Sequence, residues 1–184
     1  MQSFIKGLLE RAMGGGRVFW SGKWVVIHRD VKGRIVSIDR FHNLLPREGL
    51  TYILNAALHG GTNISAWYFA PFLDSSFSPS NENSYASPGY TEITGYQEST
   101  RQEWAEDAAS NSVITNSSPA IITAPAGGIQ VYGAGIVGGG SAPSTKGDVL
   151  GGGVMLSQGN FTAMKDLAEN ETLSMTYTLT GSSV

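Results

Sequence analysis

The sequence predicts an all-β protein, a β-sandwich of jelly-roll type with one short helix and an N-terminal amphipathic helical arm. Apolar and polar residues alternate over short runs, a single later segment has helical periodicity, and turn residues separate the runs roughly every 8 to 14 positions. Many short strands divided in this way are typical of sandwiches and jelly rolls. We therefore divide the chain into an arm with a glycine tether, residues 1–16, and a β-sandwich domain, residues 17–184.

The arm carries apolar residues at helical spacing and ends at three consecutive glycines, residues 14–16. Its candidate interaction residues are Phe4, Ile5, Leu8 and Leu9. A helix this short is marginal in water, so its apolar face needs a surface on which to dock. That surface belongs either to another protein or to the chain's own domain, and the sequence leaves both alternatives open.

The strands of the domain begin with a meander at 18–20, 24–29 and 34–40. Residues 30–33 form its tight turn, because the Asp30 carboxylate can accept nearby backbone N–H groups and Gly33 tolerates a positive φ. The helix follows, with Pro46 in its first turn and a glycine pair at 60–61 as its terminator. Later strands are predicted at 66–72, 91–96, 101–105, 112–116, 120–123, 129–137, 153–157 and 173–180. The clearest is "LSMTYTLTG" near the C-terminus, which alternates apolar and polar residues and is expected to bury one face.

The loop at 74–89, "DSSFSPSNENSYASPG", is long, polar and interrupted by prolines. Loops of this length in small domains are usually functional or disordered. Phe77 and Tyr85 are poor choices for a solvated linker, so we predict that they contact another subunit.

Two motifs suggest phosphate chemistry, but their surroundings do not support it. The tripeptide "HRD" at 28–30 opens like a kinase catalytic loop, but Ile35 stands where that loop needs a metal-binding Asn. Glycines 133, 135 and 138 match the dinucleotide-binding G-x-G-x-x-G, but more glycines, a serine and a proline follow where that site needs a helix. We interpret the first as a hairpin and the second as a glycine-rich strand and loop in which backbones approach closely.

No set of residues predicts catalysis or a bound metal. Histidines 28, 42 and 59 lack a metal-clip spacing, and the acidic group at 103–107 lacks the turn glycine of a calcium loop. A glycosidase pair could still be formed by distant carboxylates such as Glu92 and Glu103. We predict no catalytic, cofactor-binding or metal-binding residue, no cofactor, and a protein that is not an enzyme.

Charge is sorted along the chain, although the net charge is only −3. Residues 1–50 hold nine Lys or Arg against four Asp or Glu, and residues 51–184 hold three against eleven. This split indicates head-to-tail contact with further copies or with a larger assembly, or else two solvated surfaces. The cations are spread rather than clustered with aromatics, and no apolar run approaches about 20 residues, so we expect neither a nucleic-acid nor a membrane partner. Cysteine is absent, which fits assembly in a reducing cytoplasm.

The order of segments resembles that of small virion proteins of tailed bacteriophages. It runs from "GKWVVIHRDVKGRIVSIDRFHNLLPREGLTYILNAAL" through "ISAWYFAPF" and "YTEITGYQESTRQEWAED" to a glycine-rich stretch and "LSMTYTLTG". The resemblance covers roughly residues 20–180 and implies a packing role for Tyr96, Arg101 and Trp104. It implies a structural protein similar to capsid decoration or cement proteins, which have jelly-roll folds and sit as trimers on the head lattice.

We therefore expect a virion protein, assembled in the host cytoplasm, that clamps neighbouring capsomers as a homo-oligomer, with a trimer favoured. Its partners would be the major capsid protein or other virion proteins. One alternative is a tail or fibre component that contacts another tail protein or a host glycan, with Trp67, Tyr68, Phe77 and Tyr85 as the glycan candidates. A hydrolase built on a β-sandwich is the third hypothesis.

Overall fold

Two antiparallel sheets and one helix make up residues 18–183, the part of the chain described by the structure, a computed structural model. The elements are β1 (Val18–Arg29), β2 (Ile35–His42), α1 (Arg47–Leu58), β3 (Trp67–Phe72), β4 (Gln102–Glu103), β5 (Val113–Thr115), β6 (Ala120–Thr123), β7 (Ile129–Gly138), β8 (Val154–Leu167) and β9 (Thr172–Ser183). The five-stranded sheet has the order β2-β1-β9-β5, with β6 also paired to β9, and the four-stranded sheet has the order β4-β3-β7-β8. The all-β prediction with one short helix is confirmed for these residues. The arm and its candidates Phe4, Ile5, Leu8 and Leu9 lie outside them.

The first hairpin forms for the local reasons that its sequence indicates. The Asp30 Oδ1 atom accepts the backbone N–H groups of Lys32 and Arg34, both at 2.9 Å, and Gly33 has a φ of +77°. Strands β1 and β2 pair antiparallel on either side of this turn. The kinase-like tripeptide is therefore part of a strand and its turn.

Aromatic side chains from both sheets meet in the main core. Trp24 of β1 packs with its ring centroid 5.4 Å from that of Phe69 on β3 and 5.1 Å from that of Tyr177 on β9. Within β9 the residues Leu173, Met175, Tyr177 and Leu179 are all buried, as the alternation predicts. The two sheets therefore pack face to face, as in a sandwich.

The segment after β3 covers the outer face of the four-stranded sheet. Phe77 and Tyr90 pack on Phe72, with ring centroids 4.8 and 4.4 Å away, and Tyr85 joins the same cluster with Met155. Phe77 is only 8% exposed and Tyr85 only 2%. The structure thus gives these two candidate contact residues a role within the chain's own core, because their aromatic surface is already covered there.

The glycines of the nucleotide-like motif allow this second cluster to lie flat on β7. A Cβ at Gly133 would overlap the Phe72 ring, and one at Gly135 would overlap the Tyr90 hydroxyl. The interpretation of this stretch as a strand with close approaches is confirmed, since residues 129–138 are a strand throughout.

Three strand predictions need correction. Residues 91–96 are not a strand and contribute only an isolated bridge between Glu92 and Phe72, because β4 already pairs with Tyr68 and Phe69 further along that edge of β3. Strand β8 continues ten residues beyond its predicted end at 157, to Leu167. It does so because it keeps pairing with β7 across two shifts of register. Strand β1 is continuous across 21–23, where β9 pairs with every residue.

Candidate interaction surface

Strands β1 and β9 extend together beyond the sandwich and form an exposed end. They pair from Val18 with Ser183 onwards, whereas β2 joins β1 only at Lys23. We call residues 18–21 and 181–183 the ribbon end. Along the ribbon end, β1 pairs with β9 on one side. No other strand of residues 18–183 pairs with it on the other side, so that edge is free and could accept an added strand.

The ribbon end carries three consecutive large apolar side chains. Val18 is 67% exposed, Phe19 49% and Trp20 41%. Successive side chains of a strand point to opposite faces, so Phe19 lies on one face and Val18 and Trp20 on the other. Solvent-exposed apolar groups on both faces of a free edge are characteristic of a contact site.

A shallow apolar groove of about 360 Å³ lies against the ribbon end. Trp20 is paired across the ribbon with Gly181, whose lack of a side chain leaves the indole ring room above β9. The remaining walls are mostly aliphatic and come from β5, β9 and the turn before β5. They include Ala109, Val113, Ile114 and Leu179. Edge, aromatic side chains and groove are thus contiguous.

A second groove, of about 530 Å³, lies between α1 and residues 81–84. Tyr52, Asn55 and Asn83 line it, together with Thr51 and Asn81. An exposed ion pair crosses it, in which Arg47 donates to Glu82 at 2.7 and 3.1 Å. Amides and hydroxyls beside an aromatic ring can hydrogen-bond and pack against a polar ligand.

Arg101 lies at the centre of a buried polar network that joins three loops. Its guanidinium donates to the Glu92 carboxylate from Nε at 2.9 Å and from Nη2 at 2.6 Å. It also donates to the carbonyls of Pro143 and Asp148, both at 2.8 Å, and to the Tyr85 hydroxyl at 3.3 Å. All five N–H groups are occupied, so Arg101 has none left for a ligand. The packing role implied for Arg101 agrees with this position.

Burial and hydrogen bonding set the ionisation of this network. Burial raises the pKa of Tyr85, and its hydrogen bond to Asp148 raises it further. The same hydrogen bond, 2.5 Å long, holds the pKa of Asp148 below its usual value. Burial disfavours the charged Arg101, but hydrogen bonding to Glu92 and its charge outweigh that effect and raise the pKa of Arg101. At neutral pH Arg101 and Asp148 are therefore charged and the Tyr85 phenol is neutral.

A second buried polar group joins the two sheets. The Asp39 carboxylate of β2 accepts the Thr162 backbone N–H at 2.8 Å and the Thr162 hydroxyl at 2.6 Å, and Lys165 lies 3.3 Å away. Burial alone would raise the pKa of Asp39, but these hydrogen bonds and the Lys165 charge lower it overall. These groups therefore hold β2 against β8.

Glu92 and Glu103, the carboxylates considered for glycoside hydrolysis, bridge to β3 at Phe72 and Tyr68. Those positions are four residues apart, so the two backbones are about 13 Å apart along the sheet. The Glu92 carboxylate is buried and bound by Arg101, whereas Glu103 is exposed. Within residues 18–183, no three His, Asp or Glu side chains come close enough together to hold a metal ion.

Comparison of the chain with protein-family models, with curated proteins and with solved structures gives no match. The described part of the chain has no helix with the length and hydropathy of a bilayer span.

The sequence placed 18–20 in a strand but did not distinguish those residues as a contact site. The signal was present, because three consecutive apolar residues, two of them aromatic, break the alternation expected of a strand with one buried face. Their exposure, however, depends on where β2 ends, at His42 opposite Lys23, and no local pattern fixes that. The aromatic residues predicted to contact another subunit, Phe77 and Tyr85, are buried. Trp67 is also buried and Tyr68 partly so.

Proposed function

We propose that this chain is a structural virion protein of a tailed bacteriophage, a capsid decoration (cement) protein that clamps neighbouring capsomers. The ribbon end is the observation that carries the proposal. A free strand edge, two exposed aromatic side chains and an apolar groove occur together there, whereas the buried polar networks are satisfied within the chain. The proposal includes jelly-roll connectivity, an amphipathic N-terminal arm and the major capsid protein as the partner. The resemblance to phage virion proteins is its second support.

Binding to a capsid would gain strength because the same contact is repeated over the capsid lattice. A stable contact buries about 800 Å² on each partner, and Trp and Tyr side chains contribute much of the binding energy in such contacts. A capsid displays its binding sites in many copies, so an oligomer bound at several sites gains avidity beyond the single contact. Exposed aromatic and apolar groups at the free end of a rigid sheet suit that task, because little entropy is lost when they bind.

Binding to particles tests the proposal. The double variant Phe19→Ser/Trp20→Ser should no longer co-sediment with heads of the phage whose genome encodes the chain, whereas the wild type should. The matched control is Leu54→Ser/Leu58→Ser on α1, where the two side chains are 55% and 81% exposed. Equal binding by wild type and the ribbon-end variant would remove the ribbon end from the contact.

The second candidate function is a tail or fibre component that contacts a host glycan or another tail protein. The groove between α1 and residues 81–84 favours it, since Tyr52 and Asn55 on the α1 wall and Asn83 on the opposite wall provide a ring and amides. A glycan array separates the two functions: binding that Asn55→Ala and Asn83→Ala abolish supports the tail function. Gold labelling on heads rather than tails supports the decoration function.

A further inference from the structure

The outer face of the five-stranded sheet is apolar at its centre. One row across the strands consists of Ile38, Ile27, Ser174 and Ile121. Ile38 and Ile121 are each 44% exposed, and Ile27 is half-buried. Val36, on the same face of β2, is 56% exposed. This outer face therefore presents aliphatic side chains to solvent from three of its strands.

Cations border the apolar row on the same face. The next row places Arg40 opposite Val25, and the one after it places His42 opposite Lys23. Lys23 and Arg40 are exposed, and none of the side chains in these rows is acidic. Asp39 points inward to Thr162, so it does not neutralise this face. Among residues 18–183, neither Lys23 nor Arg40 forms an ion pair.

The complementary feature runs from β4 of the four-stranded sheet to the β5 edge of the five-stranded sheet. Residues 103–107, which we call the acidic segment, carry Glu103, Glu106 and Asp107, and Ala105 among them is exposed. Trp104 anchors the segment, because it is buried and its indole N–H donates to the Tyr177 carbonyl at 3.1 Å. Within the described ranges, none of the three acidic side chains is in an ion pair.

One chain cannot bring the two surfaces together. Arg40 lies on the β2 edge, whereas Asp107 donates its backbone N–H to Thr115 of β5, at the opposite edge. Three strand spacings, about 14 Å, separate those edges. The acidic segment is also held rigidly, since the Ala105 carbonyl accepts the Ser117 backbone N–H at 2.8 Å.

We propose that the outer face of the five-stranded sheet binds the acidic segment of a second copy of this chain. Lys23 and Arg40 face Glu103 and Asp107 of that copy, and Ala105 packs near Ile38. Such a contact joins two different surfaces, so it is heterologous. It closes into a ring if the rotation from one copy to the next divides a full turn evenly. A ring of three copies would match the trimer expected of a decoration protein. The number of copies in the ring therefore rests on the proposed function.

Charge reversal on the full chain tests the pairing. Either Lys23→Glu/Arg40→Glu or Glu103→Lys/Asp107→Lys should raise the dissociation constant of the oligomer at least about tenfold, because like charges then face each other. The chain that carries all four substitutions should regain assembly, because the two signs are exchanged. Sedimentation velocity over a range of protein concentrations, without particles, measures both effects.

Controls keep the outcomes distinct. Lys32→Glu at the hairpin tip and Glu169→Lys in the turn before β9 are exposed reversals outside both surfaces and should leave assembly unchanged. A wild-type chain that stays monomeric, reversals that leave the oligomer intact, or a four-substitution chain that fails to reassemble would each overturn the pairing. A wild-type chain that is monomeric and still co-sediments with heads would overturn this inference and leave the proposed function standing. A wild-type chain that forms the oligomer but does not bind heads would overturn the proposed function and leave the pairing standing.

Discussion

The Arg101 Nη2 atom lies 2.6 Å from the Glu92 Oε2 atom, and the two side chains are 2% and 6% exposed. This buried ion pair joins the segment before β4 to the residues after β3. Through the carbonyls of Pro143 and Asp148 it also holds the glycine-rich loop between β7 and β8. One guanidinium thus orders three loops that have little regular structure of their own.

Replacement of Arg101 by alanine should therefore be strongly destabilising. It leaves the Glu92 carboxylate buried without a counter-charge, which typically costs about 3–5 kcal/mol. The control is Arg47→Ala, which breaks the exposed pair with Glu82 and should cost at most about 1 kcal/mol. Urea unfolding of both variants gives the two free energies, and equal losses would refute the central role of Arg101.

Phe77→Ala should also destabilise the fold, by about 3 kcal/mol, because it removes a buried ring packed on Phe72 and Tyr90. Residues 74–89 should then become sensitive to limited proteolysis under native conditions. The control is Leu150→Ala, since Leu150 is 92% exposed and its loss should change the unfolding free energy by about 0.5 kcal/mol or less. An unchanged proteolysis pattern for Phe77→Ala would show that this loop is held by other contacts.

Gly133→Ala should cost about 1–3 kcal/mol, because the new methyl group overlaps the Phe72 ring in a packed cluster. At Gly95 an added Cβ would meet no atom within 4 Å, so Gly95→Ala should be nearly neutral. Thermal unfolding of the two variants compares them directly. A Gly133→Ala protein with the wild-type melting temperature would mean that β7 tolerates side chains on that face.

The parts of the fold that the sequence predicts are those determined locally. The turn at Asp30 and Gly33, the helix that begins after Pro46 and the alternation in β9 each depend on residues within a few positions of one another. Residues 91–96 are wrongly predicted as a strand, because the edge of β3 that they reach at Phe72 is occupied by β4 at Tyr68 and Phe69. Which segment occupies that edge depends on tertiary packing and leaves no local signal.

The contact surfaces were less predictable than the fold. Sequence identifies Trp20 and Phe77 equally as aromatic residues near turns, yet Trp20 is 41% exposed and Phe77 is 8% exposed. The difference arises because the 74–89 segment folds back onto the four-stranded sheet, whereas β2 stops short of the ribbon end. Both facts depend on tertiary packing.

Asp39 should make stability depend on acid pH. Its pKa in the folded chain is below the ordinary value of 3.8, so its charge stabilises the fold above that pH, and the contribution is lost as pH falls through the folded pKa. The difference in unfolding free energy between wild type and Asp39→Asn should therefore be largest near neutral pH and shrink below a pH of about 3.8. Denaturant unfolding over that range measures it, with the exposed Asp166→Asn as a control for general charge effects. A difference that is the same at every pH would contradict the ion pair with Lys165.

If the ribbon end docks the chain onto a phage particle, a cryo-EM map of the native particle should show density for this domain at regular positions on the head. Phe19 and Trp20 should then lie at the contact with the shell. Density confined to the tail, or head density whose contact with the shell leaves both aromatic side chains in solvent, would contradict it.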